Sequence, residues 1–196
     1  MATLVSPAPP RAEDPIWRLS VEQYHAMIDA GILSSDSPVE LVEGLLLEKM
    51  SHNPPHRFAT VQLRNAILRI LPAGWEMMTQ VPITLADSEP EPDIFVARGS
   101  NLDYPDRHPG PGDVAMVVEI SDSTIAQDRG IKQRVYARAG IPIYLIVDVN
   151  SRRVEIRTDP EGDAYRTLAV LSSSDAIPFS LDGAQIGAIQ VASLFP

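Results

Sequence analysis

Two short apolar runs, each with one carboxylate at an end, constrain this chain more than any other feature. Residues 94–97 read Ile-Phe-Val-Ala and directly follow Asp93, whereas residues 114–120 read Val-Ala-Met-Val-Val-Glu-Ile and place Glu119 near their end. The length and the β-branched content of both runs predict buried strands. An unpaired buried carboxylate costs on the order of several kcal/mol. We therefore expect the two acids to meet at adjacent strand ends and to share a cation.

A lysine and an upstream glutamate extend this pattern. Lys132 follows the second run on a helix that the sequence predicts from about 124 to 139. Two acids and a lysine at neighbouring element ends suit metal-assisted attack on a phosphate. Each residue also has a simpler interpretation when it is taken alone. Lys132 could form a surface ion pair with Asp128, four residues earlier, and Glu40 could be an exposed strand acid.

A basic helix is predicted between about 57 and 71, directly after His56. This segment carries Arg57, Arg64 and Arg69 and no acid, although the chain as a whole is acidic. Its charged face is either an ordinary solvated surface or a surface that faces phosphate. His56, near the start of the helix, is predicted to contact phosphate or to form a structural hydrogen bond.

The length and charge of the chain limit its class. At 196 residues, a flexible tail at 1–17 and one domain at 18–196 are expected. The chain has no cysteine, which excludes disulfides and thiolate metal sites and predicts a cytoplasmic location. No apolar run approaches the ~20 residues of a membrane span, so we expect no membrane partner. The net charge of −10 argues against bulk electrostatic binding of nucleic acid, but not against a local basic face with a divalent metal.

The remaining patterns predict an α/β fold with a central mixed β-sheet and helices on both sides. A hairpin is expected to turn near Glu43 and Gly44, and a long strand is expected at 75–85 with an interruption at Pro82. Further strands are predicted at 143–148, 154–157 and 165–171. The site is expected at an edge of this sheet, where strand ends diverge.

Seven short motifs occur in a recognisable order along the chain. They are Val-Glu-Leu-Val-Glu-Gly at 39–44, Pro-Pro-His at 54–56, Glu-Pro-Asp-Ile at 91–94, Val-Val-Glu-Ile-Ser at 117–121, Asp-Arg-Gly-Ile-Lys at 128–132, Tyr-Ala-Arg-Ala-Gly-Ile-Pro at 136–142 and Tyr-Leu-Ile-Val-Asp at 144–148. In this order they resemble the Uma-type family of restriction endonucleases, which belongs to the PD-(D/E)XK nuclease superfamily. The resemblance extends over about 20–195.

The resemblance implies a restriction-endonuclease-like fold and a role for individual residues. Asp93 matches the aspartate of the PD motif, and Glu119 matches the acid that follows it. The wider superfamily places its lysine two residues after that acid, where this chain has Ser121, and Lys132 on the next helix resembles a displaced counterpart. Glu40 resembles an extra acid near the metal. Asp93, Glu119, Lys132 and Glu40 are thus the implied catalytic residues.

Together these features predict an endonuclease that uses Mg²⁺ or Mn²⁺ to hydrolyse phosphodiester bonds in DNA. Asp93, Glu119 and the carbonyl of Ile120 would hold the metal, since these cations prefer hard oxygen ligands. His56, Arg57 and Arg64 would contact the substrate, and the resemblance implies a homodimer. Two other functions stay open at this point: a nuclease fold that binds or scaffolds nucleic acid without cutting it, and hydrolysis of a smaller phosphate ester.

Overall fold

The computed structural model describes residues 15–34, 36–49 and 53–196, so most of the predicted tail at 1–17 lies outside the described residues. Helix α1 (Val21–Asp29) begins at Ser20, whose side chain and that of Gln23 form a capping box. Strands β1 (Val39–Val42) and β2 (Leu45–Glu48) form an antiparallel hairpin. The hairpin turns at Glu43 and Gly44, as predicted, and both residues have positive φ angles.

Helix α2 (Pro54–Ile70) follows, and a six-stranded sheet forms the centre of the protein. Its strands, in chain order and in spatial order, are β3 (Trp75–Met78), β4 (Ile94–Arg98), β5 (Val114–Ser121), β6 (Ile143–Asp148), β7 (Arg153–Glu161) and β8 (Ala164–Leu171). Only β5 and β6 pair in parallel, and the other neighbours are antiparallel. The sheet is therefore mixed, as the sequence predicts.

The predicted long strand at 75–85 is only partly present. Strand β3 ends at Met78, because Gln80 adopts a left-handed backbone with φ of 53° and the chain leaves the regular ladder there. The backbone N–H of Gln80 instead donates to the carbonyl of Pro92 at 3.1 Å. Strand β3 is an outer strand of the sheet.

Both faces of the sheet are covered around β4, β5 and β6, which explains the unbroken apolar runs of these strands. Along β4, Ile94 and Val96 join the core that includes α2 and the hairpin of β9 (Ala176–Leu181) and β10 (Ala184–Gln190). Phe95 and Ala97 join the opposite core. A 3₁₀ turn (Val191–Leu194) closes the chain against the α2 side of the sheet. The first four side chains of β4 are thus buried on one face or the other, and only the last, Arg98, is exposed.

The helix predicted at 124–139 is helical but not uniform. It consists of α3 (Ile125–Gln127), a π-helical turn (Asp128–Lys132) and α4 (Gln133–Arg138), and it forms the crossover between β5 and β6. The N–H of Gln133 donates to the carbonyl of Asp128, five residues earlier. Such π-turns are rare and often lie at functional sites. No helix in the described ranges combines the length and apolar character that crossing a bilayer requires.

Candidate active site

Asp93 and Glu119 lie across from each other at one end of the sheet. Ile94 pairs with Val118, so extending this antiparallel register by one residue places Asp93 opposite Glu119. Both residues are buried, with 7% and 4% of their surface exposed, and both line a cleft of about 470 Å³. Because β4 and β5 are inner strands, the cleft opens at the strand ends and not along an outer strand of the sheet.

The carboxylate of Asp93 is held by two neighbours. Its Oδ2 accepts a hydrogen bond from the backbone N–H of Ile120 at 2.8 Å and lies 3.1 Å from Nε2 of His56. His56 is buried in the first turn of α2, where its N–H donates to the side chain of Asn53 at 3.0 Å. Of the two roles predicted for His56, the structure shows the structural hydrogen bond. Ile120, predicted to offer its carbonyl, also lines the cleft and holds Asp93 through its N–H.

Lys132 lies between two acids in the buried part of the site. Its Nζ is 2.9 Å from Oε1 of Glu119 and 2.9 Å from Oε1 of Glu40, and all three residues are buried. The simpler interpretations of Lys132 as a surface ion pair and of Glu40 as an exposed acid are therefore wrong. Asp128 is also buried, and its carboxylate accepts hydrogen bonds from the hydroxyls of Ser121 and, at 2.7 Å, Thr124 instead.

Two contacts in the site were not predicted from the sequence. The hydroxyl of Tyr136 donates to Oε1 of Glu119 at 2.8 Å, so Glu119 accepts from both Tyr136 and Lys132. Tyr136 follows Lys132 by four residues, and this spacing, which places both on one helix face, was the available signal. In addition, Oε2 of Glu40 accepts from the backbone N–H of Glu91 at 2.9 Å. Glu40 thereby links Lys132 to the loop that leads to Asp93.

Five buried residues form what we call the acid cluster, namely Glu40, Asp93, Glu119, Asp128 and Lys132. The cluster thus contains four carboxyl groups and one ammonium group, which contacts Glu40 and Glu119. Burial raises the pKa of Glu119 to about 8 even though Lys132 opposes the shift, and burial also raises the pKa of Asp128. Burial alone would lower the pKa of Lys132, but the surrounding carboxylates raise it above its ordinary value. The cluster carries acid groups that a further cation would help to ionise.

The donor set of the cleft fits a hard divalent cation. Asp93, Glu119 and the backbone carbonyl of Ile120 offer only oxygen, which suits Mg²⁺ and Mn²⁺. Within residues 15–34, 36–49 and 53–196, no three His, Asp or Glu side chains form a ready-made ligand cluster, and Lys132 lies between Glu40 and Glu119. Mg²⁺ commonly takes only one or two carboxylates and fills its shell with water and substrate oxygen. A two-carboxylate set is therefore sufficient for this ion.

The two arginines predicted to contact substrate lie apart from the acid cluster. Arg57 and Arg64 are exposed on α2 and are not among the residues that line the cleft. The cleft rim is instead polar and largely acidic. It includes Glu48, Lys49, Gln80, Glu91, Asp122, Ser123 and Gln127. Any contact of the two arginines with substrate would thus be made outside the cleft.

Comparisons with known proteins identify the fold and the family of this chain. A crystal structure described as "a putative nuclease belonging to DUF820" from Anabaena variabilis ATCC 29413 superposes with a TM-score of 0.70 and 15% identity, over 90% of this chain and 97% of that chain. At that identity the likeness shows the fold, which is the restriction-endonuclease-like α/β fold predicted from the sequence. No curated protein matches this chain.

The family comparison covers most of the sequence. The profile of the Uma2 family, described as "Putative restriction endonuclease", matches residues 21–188. This range includes Glu40, Asp93, Glu119 and Lys132, and it spans the sheet that positions them. The resemblance inferred from the seven motifs is thereby confirmed. The chain belongs to the Uma2 family of restriction-endonuclease-like proteins, which is a nuclease family.

Proposed function

We propose that this protein is a metal-dependent nuclease of the PD-(D/E)XK type that hydrolyses phosphodiester bonds in DNA. One observation carries the proposal. Asp93, just before β4, and Glu119, near the end of β5, lie side by side in the same cleft, and the ammonium of Lys132 is 2.9 Å from Glu119. Membership of a nuclease family supports the same class of reaction. The proposal assigns the acids to metal binding and the lysine to charge stabilisation.

Glu119 needs support from the protein because burial raises its pKa and favours its neutral form. Asp93, Glu119 and the carbonyl of Ile120 would hold Mg²⁺ or Mn²⁺. When bound, such an ion supplies charge neutralisation at the phosphate and makes an attacking water more acidic. The N–H of Ile120 and the ring of His56 fix the direction of the Asp93 carboxylate. Lys132 and Tyr136 do the same for Glu119.

Lys132 acts as a donor and not as a general base in this proposal. Its pKa lies above the ordinary value because the carboxylates of Glu119 and Glu40 outweigh its desolvation, so it stays protonated at neutral pH. A compact ammonium group can donate to an oxygen that gains negative charge in the transition state. Glu40 holds the ammonium in position from the other side.

The direct test is cleavage of DNA by the purified protein. Supercoiled plasmid, linear duplex and single strands are incubated with Mg²⁺, with Mn²⁺ or with EDTA. We expect nicking that requires the metal and that Asp93→Ala abolishes, whereas Asp182→Ala, an exposed acid on another part of the surface, cuts like the parent. The proposal fails if no form of DNA is cut under any of these conditions, or if Asp93→Ala cuts as well as the parent protein.

A second candidate function is a nuclease fold that binds nucleic acid without cutting it. The position of Lys132 favours this candidate, since two carboxylates already take up its ammonium group. Calorimetric titration with Mn²⁺ separates the two functions. Heat of binding that disappears in Asp93→Ala and Glu119→Gln supports the nuclease. Absence of that heat in the parent protein supports the non-catalytic function.

Cleavage of both strands of a duplex requires two cuts, and we therefore propose that the working form is a homodimer. Light scattering after size exclusion would then give twice the mass of the chain. Single-strand nicks from a protein that stays monomeric at working concentration would contradict this part of the proposal.

A further inference from the structure

The outer face of helix α2 (Pro54–Ile70) differs in charge from the rest of the molecule. The helix carries Arg57, Arg64 and Arg69 on its exposed side and contains no Asp or Glu. The whole chain has 26 acids for 16 lysines and arginines. In a chain with this excess of acids, a helix without any acid is a local positive surface.

The arginines of α2 also differ from most other cationic side chains because they form no ion pair or hydrogen bond with the described residues. Within the described ranges, most cationic side chains form an ion pair or a hydrogen bond. These are Arg18, Lys49, Arg98, Arg107, Arg129, Lys132, Arg134, Arg138, Arg152, Arg157 and Arg166. The cations of that part of the chain with neither are Arg57, Arg64, Arg69 and Arg153. Three of these four lie on one helix, where an anion from outside the chain could bind them.

The position of α2 connects this surface to the cleft. His56 lines the cleft and contacts Asp93, and Arg57 is the next residue. Arg64 lies seven residues further, about 10 Å along the helix axis. Residues three or four positions apart share one face of a helix. On α2 these are Arg57, Val61, Arg64 and Leu68, which we call the α2 strip. Val61 and Leu68 are 47% and 52% exposed.

We propose that the α2 strip binds the sugar–phosphate backbone of the substrate strand beyond the scissile phosphate, so that the substrate is a polynucleotide. This inference rests on the proposed function and names its substrate class. Arginine forms forked hydrogen bonds with phosphate, and phosphate contacts fix the position of a nucleic acid on a protein. The exposed side chains of Val61 and Leu68 offer apolar contact to sugars or bases between the phosphates. Arg64 does not line the cleft, so a small phosphate ester confined to the cleft would not need it.

The test measures binding separately from cleavage. Fluorescence anisotropy follows a labelled 20-nucleotide DNA strand and its duplex, with the parent protein and with the double variant Arg57→Ala/Arg64→Ala, in EDTA and at several salt concentrations. We expect the double variant to bind roughly tenfold more weakly at low salt. The slope of log affinity against log salt should become shallower by about 1.4 to 1.8, because two phosphate contacts are lost.

Two further variants control for charge and for folding. Arg98→Ala/Arg166→Ala removes the same charge from exposed residues on β4 and β8, and we expect it to change affinity less than twofold. Arg57→Lys/Arg64→Lys keeps the charge and should keep the salt slope. Thermal unfolding followed by circular dichroism should give the parent midpoint for all three, since each altered side chain is exposed.

Three results on binding and assembly would overturn the inference, and a fourth concerns cleavage. The first is equal binding by the α2 variant and the charge-matched control. The second is competition by a dinucleotide as effective as that by the 20-nucleotide strand. The third is an α2 variant that changes the oligomeric state but not DNA binding, which would make the strip a contact between copies. DNA binding that needs the strip without any cleavage would overturn only the proposed hydrolysis, and cleavage independent of Arg57 and Arg64 would overturn only the strip.

Discussion

Two glutamates on one hairpin, Glu40 and Glu43, belong to charged groups of opposite character. Glu40 lies in the buried acid cluster, where its carboxylate and that of Glu119 contact the ammonium of Lys132. Glu43 lies at the hairpin turn and accepts from Arg134 at 3.0 Å and Arg138 at 2.7 Å. We call this second group the arginine network, consisting of Glu43, Asp87, Arg134, Arg138 and Asp163. One helical segment supplies the cations of both groups.

The two groups shift the pKa of their acids in opposite directions. Hydrogen bonds from Arg134, aided by Arg138, lower the pKa of Glu43, as expected for an ion pair that stabilises the fold. Burial raises the pKa of Glu119, so the acid cluster retains carboxyl groups that the fold alone leaves poorly ionised. Strongly shifted acids in a cleft are typical of functional sites. The acid cluster thus has the raised pKa that is typical of functional sites. The arginine network, in contrast, joins the hairpin to α4.

The largest contrast is expected when one cation is removed from each group. Lys132→Met leaves Glu40 and Glu119 buried without their ammonium, which should cost about 3–5 kcal/mol of unfolding free energy. It should also lower cleavage at least 100-fold, roughly, if Lys132 stabilises transition-state charge. Arg134→Met removes a side chain that is 41% exposed and should cost less than about 1 kcal/mol. Urea unfolding and plasmid nicking measure both effects, and similar losses in the two variants would contradict the comparison.

The pH dependence of stability should have opposite signs in the two groups. The raised pKa of Glu119 contributes stability that is full below about pH 4.5 and is lost as the pH rises toward 8, by roughly 1–3 kcal/mol. The lowered pKa of Glu43 contributes less than about 1 kcal/mol, present above pH 4.5 and lost as the pH falls through its folded value.

Metal-free unfolding between pH 3.5 and 8.5 checks both signs. Glu119→Gln should flatten the alkaline side of the stability profile, and Glu43→Gln should flatten the acid side. A profile in which both variants act on the same side would show that the two groups do not differ as described.

The smallest contrast concerns the hydroxyls of two tyrosines, one buried and one partly buried. Tyr136→Phe removes a donor to Glu119, and Tyr165→Phe removes a donor to the carbonyl of Ile141 at 3.0 Å. Each change should cost about 1 kcal/mol of unfolding free energy. Only Tyr136→Phe should also lower cleavage, by roughly tenfold, because it loosens a proposed metal ligand. Steady-state kinetics test this expectation. Equal activity of the two variants would show that the Tyr136 hydroxyl does not contribute to cleavage.

Local sequence signals were sufficient for strands β4 to β8 and for the placement of Asp93 and Glu119. Asp93 directly precedes one apolar run and Glu119 lies near the end of the other, and antiparallel pairing of these buried runs places the two acids together. The partners of Lys132 depend on tertiary packing. A regular helix would direct Lys132 toward Asp128, but the π-turn and the hydroxyls of Ser121 and Thr124 engage Asp128 separately. The early end of β3 likewise depends on the left-handed backbone at Gln80, which no residue type signals strongly.

Crystals soaked in Mn²⁺ would show whether Asp93 and Glu119 hold a metal, because the anomalous signal of manganese locates the ion without reference to activity. We expect one or two peaks within about 2.5 Å of carboxylate oxygens from both Asp93 and Glu119, with no peak at Glu43. The peaks should disappear in Glu119→Gln. A parent crystal with no peak at this end of β4 and β5, or with manganese bound only at the arginine network, would exclude a metal site at Asp93 and Glu119.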